Sequence, residues 1–286
     1  MDGIFSTKTL WIFLLACDSD DKQKVSLIMD VIYGIHCLKA NNIKDDCIRL
    51  YTNLYKDESL KIKHDRYGAI TISIRSFEEI ISDFNKDNYN NLVAFVTGHG
   101  TENCTYGNIE SQNLLDILTT INVKNIIIYF GQCYAGIFQY LKLKNPGNII
   151  RIGATKLNKS IGCELNGIDW NTNIFLYFLF TWFKNLPYNK ENKKVINSYY
   201  YTSIETNNCL KMLNSNELLD IIKNSRELNR LKKRYKKAKN NENYKTKLML
   251  KFEEVLKSQN RLQDTYYNHQ ESWITNPELA SSLEYT

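Results

Sequence analysis

Apolar residues in this chain gather in short unbroken runs rather than alternating ones. Thr9 to Cys17, Asn91 to Val96, Asn125 to Phe130 and Asn148 to Ala154 each end at a polar or glycine-bearing corner. Runs of this length, rich in aliphatic, aromatic and β-branched residues, are what a strand buried on both faces of a parallel sheet requires. Segments with helical spacing lie between them. Lys22 to Ala40 follows Asp18-Ser19-Asp20-Asp21, a capping sequence, and Ser111 to Ile121 puts Leu114, Leu115, Leu118 and Ile121 on one face. Ile174 to Lys184 is apolar nearly all round, which predicts a helix buried against the sheet. Cys47 to Asn53 predicts a strand at or near the sheet edge, and Ile70 to Ile74 a short strand or pocket-side extension. Ser76-Phe77-Glu78-Glu79 opens a helix running to Phe84. This alternation predicts an α/β fold with a mainly parallel sheet between layers of helices.

The pattern changes after Leu186-Pro187. Tyr188 to Thr206 is rich in Asn, Lys and Tyr and has no clear period, whereas Asn216 to about Asn260 returns to helical spacing in at least two helices. Residues 1–187 are therefore expected to form the core domain and 188–286 a helical extension. The tail, with His269, Trp273 and Pro277, carries no pattern of its own.

Composition narrows the class. A hydrophobic share of 43% in 286 residues supplies a real core. Seven cysteines at irregular spacings (Cys17, Cys37, Cys47, Cys104, Cys133, Cys163, Cys209) do not form a disulfide framework, so a reducing, cytoplasmic setting follows. The start lacks a basic segment and a cleavage pattern, and Ile174 to Phe183 is too short to span a bilayer, so neither a signal peptide nor a membrane contact is expected. Between Lys223 and Lys247 eleven basic residues stand against two acidic ones, a local +9 in a chain whose total is +6. Such a run reads first as a solvated helix face. It offers a place for an activating protein partner. Nucleic acid is disfavoured, because no recognition motif or aromatic interleaving accompanies it.

The chemistry sits at two strand ends. Thr97-Gly98-His99-Gly100 closes one run and Gly131-Gln132-Cys133-Tyr134-Ala135-Gly136 closes another. Strand, helix and strand in one sheet form a right-handed parallel unit, so both corners leave the same edge although 34 positions separate His99 from Cys133. A thiol beside an imidazole and at a helix N-terminus is activated. The helical spacing of Ile137, Phe138 and Leu141 predicts a helix from Ala135 to Leu141 with Cys133 at its positive end. The amides of Gly100 and Cys133 then suit an oxyanion hole.

A His-Gly pair closing one strand, and a cysteine with glutamine before it and small residues after it closing the next, resembles the caspase, legumain, gingipain and separase clan of cysteine peptidases. The likeness is clearest to bacterial caspase-like and legumain-like members and covers roughly residues 8 to 185. It implies a caspase-like three-layer sandwich and a cysteine endopeptidase acting on proteins or peptides without a cofactor. His99 corresponds to the general base, Cys133 to the nucleophile and Gly100 to the oxyanion-hole glycine. Several relatives that cut after arginine or lysine carry an aspartate two positions before the nucleophile. This chain has Gly131 there. The clan builds its substrate pocket partly from the loop after the first strand, which makes Asp18 a pocket candidate; calcium, needed by some relatives, would draw on the same acids. The loop from Thr155 to Asn173 is where the analogy would put activating cleavage.

Other readings of these residues stand beside that one. Loops at the carboxyl ends of parallel strands shape ligand sites, so Glu164, Asp169 and Trp170 are candidates for substrate contact, although each also fits a solvated loop. A buried cysteine is often inert packing. A zinc site from His99, Cys104 and Cys133 lacks the spacing such sites show. A transpeptidase passing the same acyl-enzyme to an amine, and a non-catalytic regulator that keeps the fold, are the two functional rivals.

Overall fold

A computed structural model describes residues 3–5, 8–16, 24–53, 59–64, 67–84, 88–102, 105–106, 109–144, 147–165, 168–188, 193–238, 242–267 and 270–286. In chain order the elements begin with β1 (Thr9–Ala16), α1 (Lys24–Lys39), β2 (Ile48–Thr52), β3 (Ser59–His64), β4 (Gly68–Ser76), α2 (Ile80–Phe84) and β5 (Asn91–Gly98). There follow β6 (Thr105–Tyr106), β7 (Ile109–Glu110), α3 (Ser111–Leu118), β8 (Asn125–Phe130), α4 (Ile137–Tyr140) and β9 (Ile149–Gly153). The chain continues through β10 (Gly162–Glu164), β11 (Asn171–Asn173), α5 (Ile174–Asn185), α6 (Val195–Lys237), α7 (Glu242–Tyr267), β12 (Trp273–Ile274) and α8 (Pro277–Ser282).

The main sheet has the order β12-β9-β8-β5-β1-β2-β4-β3. From β9 to β4 the strands are parallel, and β12 and β3 add antiparallel edges. β2 therefore lies inside the sheet and not at its edge. The Ile70–Ile74 segment is the middle of a nine-residue strand that pairs with it.

Both faces of the central strands are covered, which explains the unbroken apolar runs. Leu10, Ile12, Leu14, Leu92, Val96, Ile128 and Phe130 pack with Leu114, Leu115 and Leu118 of α3 and Phe138 of α4. On the other face Trp11, Phe13, Phe95 and Tyr129 meet α1 and α5; Phe95 stacks between Trp11 and Tyr129, with ring centroids 6.3 and 5.6 Å away. The fold is a three-layer α/β sandwich with a mainly parallel sheet.

A polar ladder sets the register at the strand starts. Thr9 pairs with Asn91 and Asn91 with Asn125, and the two asparagine side chains continue the ladder. Asn125 Nδ2 donates to Asn91 Oδ1 at 2.8 Å, and Asn91 Nδ2 donates to Thr9 Oγ1 at 3.1 Å. His99 and Cys133 each lie eight residues beyond one of these asparagines, so they leave the sheet at the same height.

The chain divides into two compact units, Met1–Thr206 with Gln270–Thr286, and Asn207–His269. The division falls later than residue 187 because part of the stretch that showed no period begins α6. There Val195, Ile196, Ser198 and Thr202 are buried. The tail also belongs to the first unit: β12 joins the sheet edge, and the Tyr285 hydroxyl meets that of Tyr129 at 2.8 Å. In the second unit α7 and the later turns of α6 bury Leu231 and Leu248, and Gln259 donates to Ser225 at 2.9 Å. Basic residues there are largely exposed and form local pairs such as Lys223–Asp220 and Arg230–Glu227. Among the described residues no helix is long and apolar enough to cross a membrane.

Candidate active site

Two corners meet at the carboxyl edge of β5 and β8. Val96 and Phe130 form the last register pair, and the Gly131 amide donates to the Val96 carbonyl at 2.8 Å. On the other side of β5, the His99 amide donates to the Ala16 carbonyl at 2.8 Å, which ties the histidine corner to β1. Reaching that oxygen needs a left-handed backbone at Gly98, φ 101°; a Cβ there would sit 1.9 Å from it. At Gly100 a Cβ would lie 2.2 Å from the Cys133 carbonyl oxygen and 2.8 Å from Gln132 Cγ. The two motifs therefore touch through backbone, and His99 and Cys133 are both only partly buried.

The turn after the nucleophile candidate differs from the expected helix. Tyr134 is left-handed at φ 56°, and α4 is a single turn of four residues starting at Ile137. The corner is held by an opposing segment: the Tyr134 amide donates to Asn158 and the Gly136 amide to Lys156, both at 2.8 Å. Those bonds take amides that a helix starting at Ala135 would have presented along its axis. Arg151 of β9 closes the other end, donating to the carbonyls of Phe138 and Leu141. One turn carries little macrodipole, so Cys133 does not gain the activation expected from it. Burial in fact pushes its thiol up, opposed by the Ser160 amide and by the Lys159 charge. The Ser160 N–H points at Sγ over 3.3 Å, and the thiol faces the Ser160 carbonyl at 3.9 Å.

The loop from Thr155 to Asn173 contains a hairpin. Gly162–Glu164 pairs with Asn171–Asn173, and this carries Asn173 to the N-cap of α5, where its Oδ1 accepts from Leu176 at 3.0 Å. The Asn173 Nδ2 group donates to the Gly131 carbonyl at 2.7 Å and to Ser160 Oγ at 2.8 Å. Asp30 of α1 anchors the same strand. Its carboxylate accepts from Trp170 Nε1 at 3.0 Å, Thr172 Oγ1 at 2.6 Å and the Asn173 amide at 3.0 Å. Burial raises this carboxyl from its ordinary 3.8 to about 6, against the pull of those three donors.

The substrate-contact candidates separate. Trp170, expected to reach substrate, is 5% exposed and packs with Tyr33 and Tyr67, because its indole N–H is spent on Asp30. Asp169 beside it is exposed, and Glu164 ends β10. Asp18 lies outside the described residues, as do Asp20 and Asp21. After His99, Thr105–Tyr106 pairs with Ile109–Glu110 as a small ribbon. Ser160 and Asn173 were not singled out by sequence, where each is one polar residue of a polar loop. Among the described residues no group of three or more His, Cys, Asp or Glu is placed to hold a metal ion.

No protein-family model matches this chain, and no curated protein matches it in sequence. Solved structures do. The chain is similar to caspase-1 from Spodoptera frugiperda, with 13% identity and a TM-score of 0.44, over 70% of this chain and 76% of that one. It is also similar to a secreted C11 cysteine protease from Bacteroides thetaiotaomicron, solved with an irreversible peptide inhibitor, at 14% identity and a TM-score of 0.33. That match covers 52% of this chain and about half of the other, 49%.

Proposed function

We propose that the chain is a cysteine endopeptidase in which Cys133 is the nucleophile and His99 the general base. The observation that carries this reading is the packing of Gly100 on the Cys133 carbonyl, which joins the two glycine-flanked corners at one sheet edge. Burial pushes the thiol up and so favours the protonated sulfur. His99 takes that proton as the sulfur attacks a peptide carbonyl, and the amides of Gly100 and Cys133 receive the oxyanion. The imidazolium then protonates the departing amine, leaving a thioester. Water, deprotonated by His99, releases the acid and restores the thiol. The matched offsets of His99 and Cys133 from the Asn91–Asn125 pair support the geometry. Protein or peptide substrates follow from the chemistry. A reducing compartment suits it, since the chemistry needs Cys133 as a thiol.

Cleavage of a peptide library by the purified chain, followed by mass spectrometry, tests the reading. Cys133→Ala and His99→Ala should each lower turnover by roughly 10³-fold or more with an unchanged melting curve. Full cleavage by either variant sinks it. An added amine that appears in the product would reassign the chemistry to transpeptidation. A folded chain with no turnover and no labelling of Cys133 by a thiol-directed probe would make it a non-catalytic regulator.

A further inference from the structure

Asn173 spends both side-chain donors and its carbonyl oxygen on three separate segments. A carboxamide has one carbonyl oxygen and two N–H donors. Here the oxygen caps α5 at Leu176, one donor goes to the Gly131 carbonyl and the other to Ser160 Oγ. Gly131 lies two residues before Cys133, and the Ser160 amide rests on the Cys133 sulfur. Asp30 fixes the Asn173 backbone from below, and Gln270, 3% exposed, reaches the same Ser160 hydroxyl at 3.4 Å.

We propose that Asn173 is a positioning residue for the cysteine site: by bridging Gly131 and Ser160 it holds the Ser160 N–H against the Cys133 sulfur and so favours the thiolate. The inference rests on the reading of Cys133 as the nucleophile. Ser160 is 27 residues from Cys133 in the chain and lies outside the hairpin strands; backbone bonds hold Asn158 and Ile161 on either side of it, and Asn173 and Gln270 hold its own side chain. A donor aimed at a sulfur is strengthened when that sulfur becomes an anion. Aspartate at position 173 would keep the cap but could not donate, and serine is too short to span both partners.

The test is alkylation of Cys133 by iodoacetamide across roughly pH 6 to 11.5, followed by mass spectrometry of its own peptide, since the thiolate is the reacting form. Asn173→Ser and Asn173→Asp both retain an oxygen for the helix cap. Each should raise the alkylation midpoint by about one pH unit. Labelling at neutral pH then slows about tenfold while the alkaline plateau is unchanged. Ser160→Ala should give a smaller shift in the same direction and add nothing to Asn173→Ser, because the two side chains form one link. If Asn173→Ser does not fold, Ser160→Ala decides, since it breaks the same link without the negative charge that Asn173→Asp brings near the sulfur. An unmoved midpoint in a folded variant, or an equal slowing at every pH including the plateau, overturns the inference. This readout needs no peptide cleavage. A shifted midpoint in a chain that cleaves nothing keeps Asn173 and discards the peptidase, whereas an unmoved midpoint in an active peptidase discards Asn173 alone.

Discussion

Asn125 donates its side-chain amide to Asn91 at 2.8 Å, near the end of the strands opposite the cysteine and histidine corners. Both residues are nearly inaccessible, at 6% and 3% exposure, so the bond is made in a dry setting where an unmet donor is costly. Asn91→Ala would leave Asn125 Nδ2 without its acceptor. A loss of about 1–3 kcal/mol is expected in urea unfolding. Peptide turnover should persist, because the apolar pairs from Leu92↔Ile126 to Val96↔Phe130 still hold the register.

Gly100→Ala places a methyl group against the Cys133 carbonyl, where backbone cannot yield cheaply. Overpacking of this kind costs about 1–3 kcal/mol. Labelling of Cys133 and peptide turnover should both fall about 100-fold or more, since the displaced atoms adjoin the proposed oxyanion site. Gly147→Ala is the control. A Cβ there meets nothing within 4 Å, and the melting temperature should not move.

Asp30 makes the stability depend on pH in a defined direction. Its folded value of about 6 lies above the unfolded value near 4, so the native state binds the extra proton between those limits. Its contribution is fully present below about pH 4 and is lost as pH rises through about 6, an amount on the order of 3 kcal/mol. Asp30→Asn removes this titration. The difference in urea midpoints between wild type and variant should therefore change between pH 4 and 7, and a constant difference would contradict the assignment.

A second buried carboxylate is structural. Asp83 is 1% exposed, accepts the Tyr51 hydroxyl at 3.1 Å and pairs with Arg75. Arg49 closes the cluster through the Asp83 carbonyl at 3.3 Å and the Tyr89 hydroxyl at 3.1 Å. Removing the carboxylate leaves Arg75, a third exposed, and the buried Tyr51 hydroxyl without their acceptor, so Asp83→Ala should cost about 1–3 kcal/mol in denaturant unfolding. Asp83→Leu combined with Arg75→Met should recover part of it.

Trp273 is where the tail is joined to the core. It is 4% exposed, pairs with Gly153 of β9 and donates its indole N–H to the Thr155 carbonyl at 2.8 Å. Trp273→Ala should cost about 3–5 kcal/mol. Ending the chain at His269 would uncover the β9 edge, and light scattering should then show self-association.

Much of the sheet was legible in the runs themselves. β1, β5, β8 and β9 are apolar on both faces because helices cover both, and α5 is apolar all round for the same reason. The cysteine and histidine corners were legible because glycines flank them where strands end. The start of α6 was not: Tyr199, Tyr200 and Tyr201 are amphipathic and blur the apolar stripe that would mark a period. The single-turn α4 was also hidden, since its length depends on bonds to Asn158 and Lys156.

The amino-acid order alone determined the buried strands β1, β5, β8 and β9, the helices α1, α3 and α5 that cover them, and that His99 and Cys133 follow strands beginning with matched asparagines. Those properties depend on neighbours within a turn or two of chain. Only the tertiary structure decided that Trp170 turns inward to Asp30, that Ser160 faces the sulfur, that Asn173 joins it to Gly131, and that the tail returns as a strand. Each of these includes a bond between groups 27 or more residues apart, and a hydrogen bond between distant residues leaves no periodic trace in either local segment.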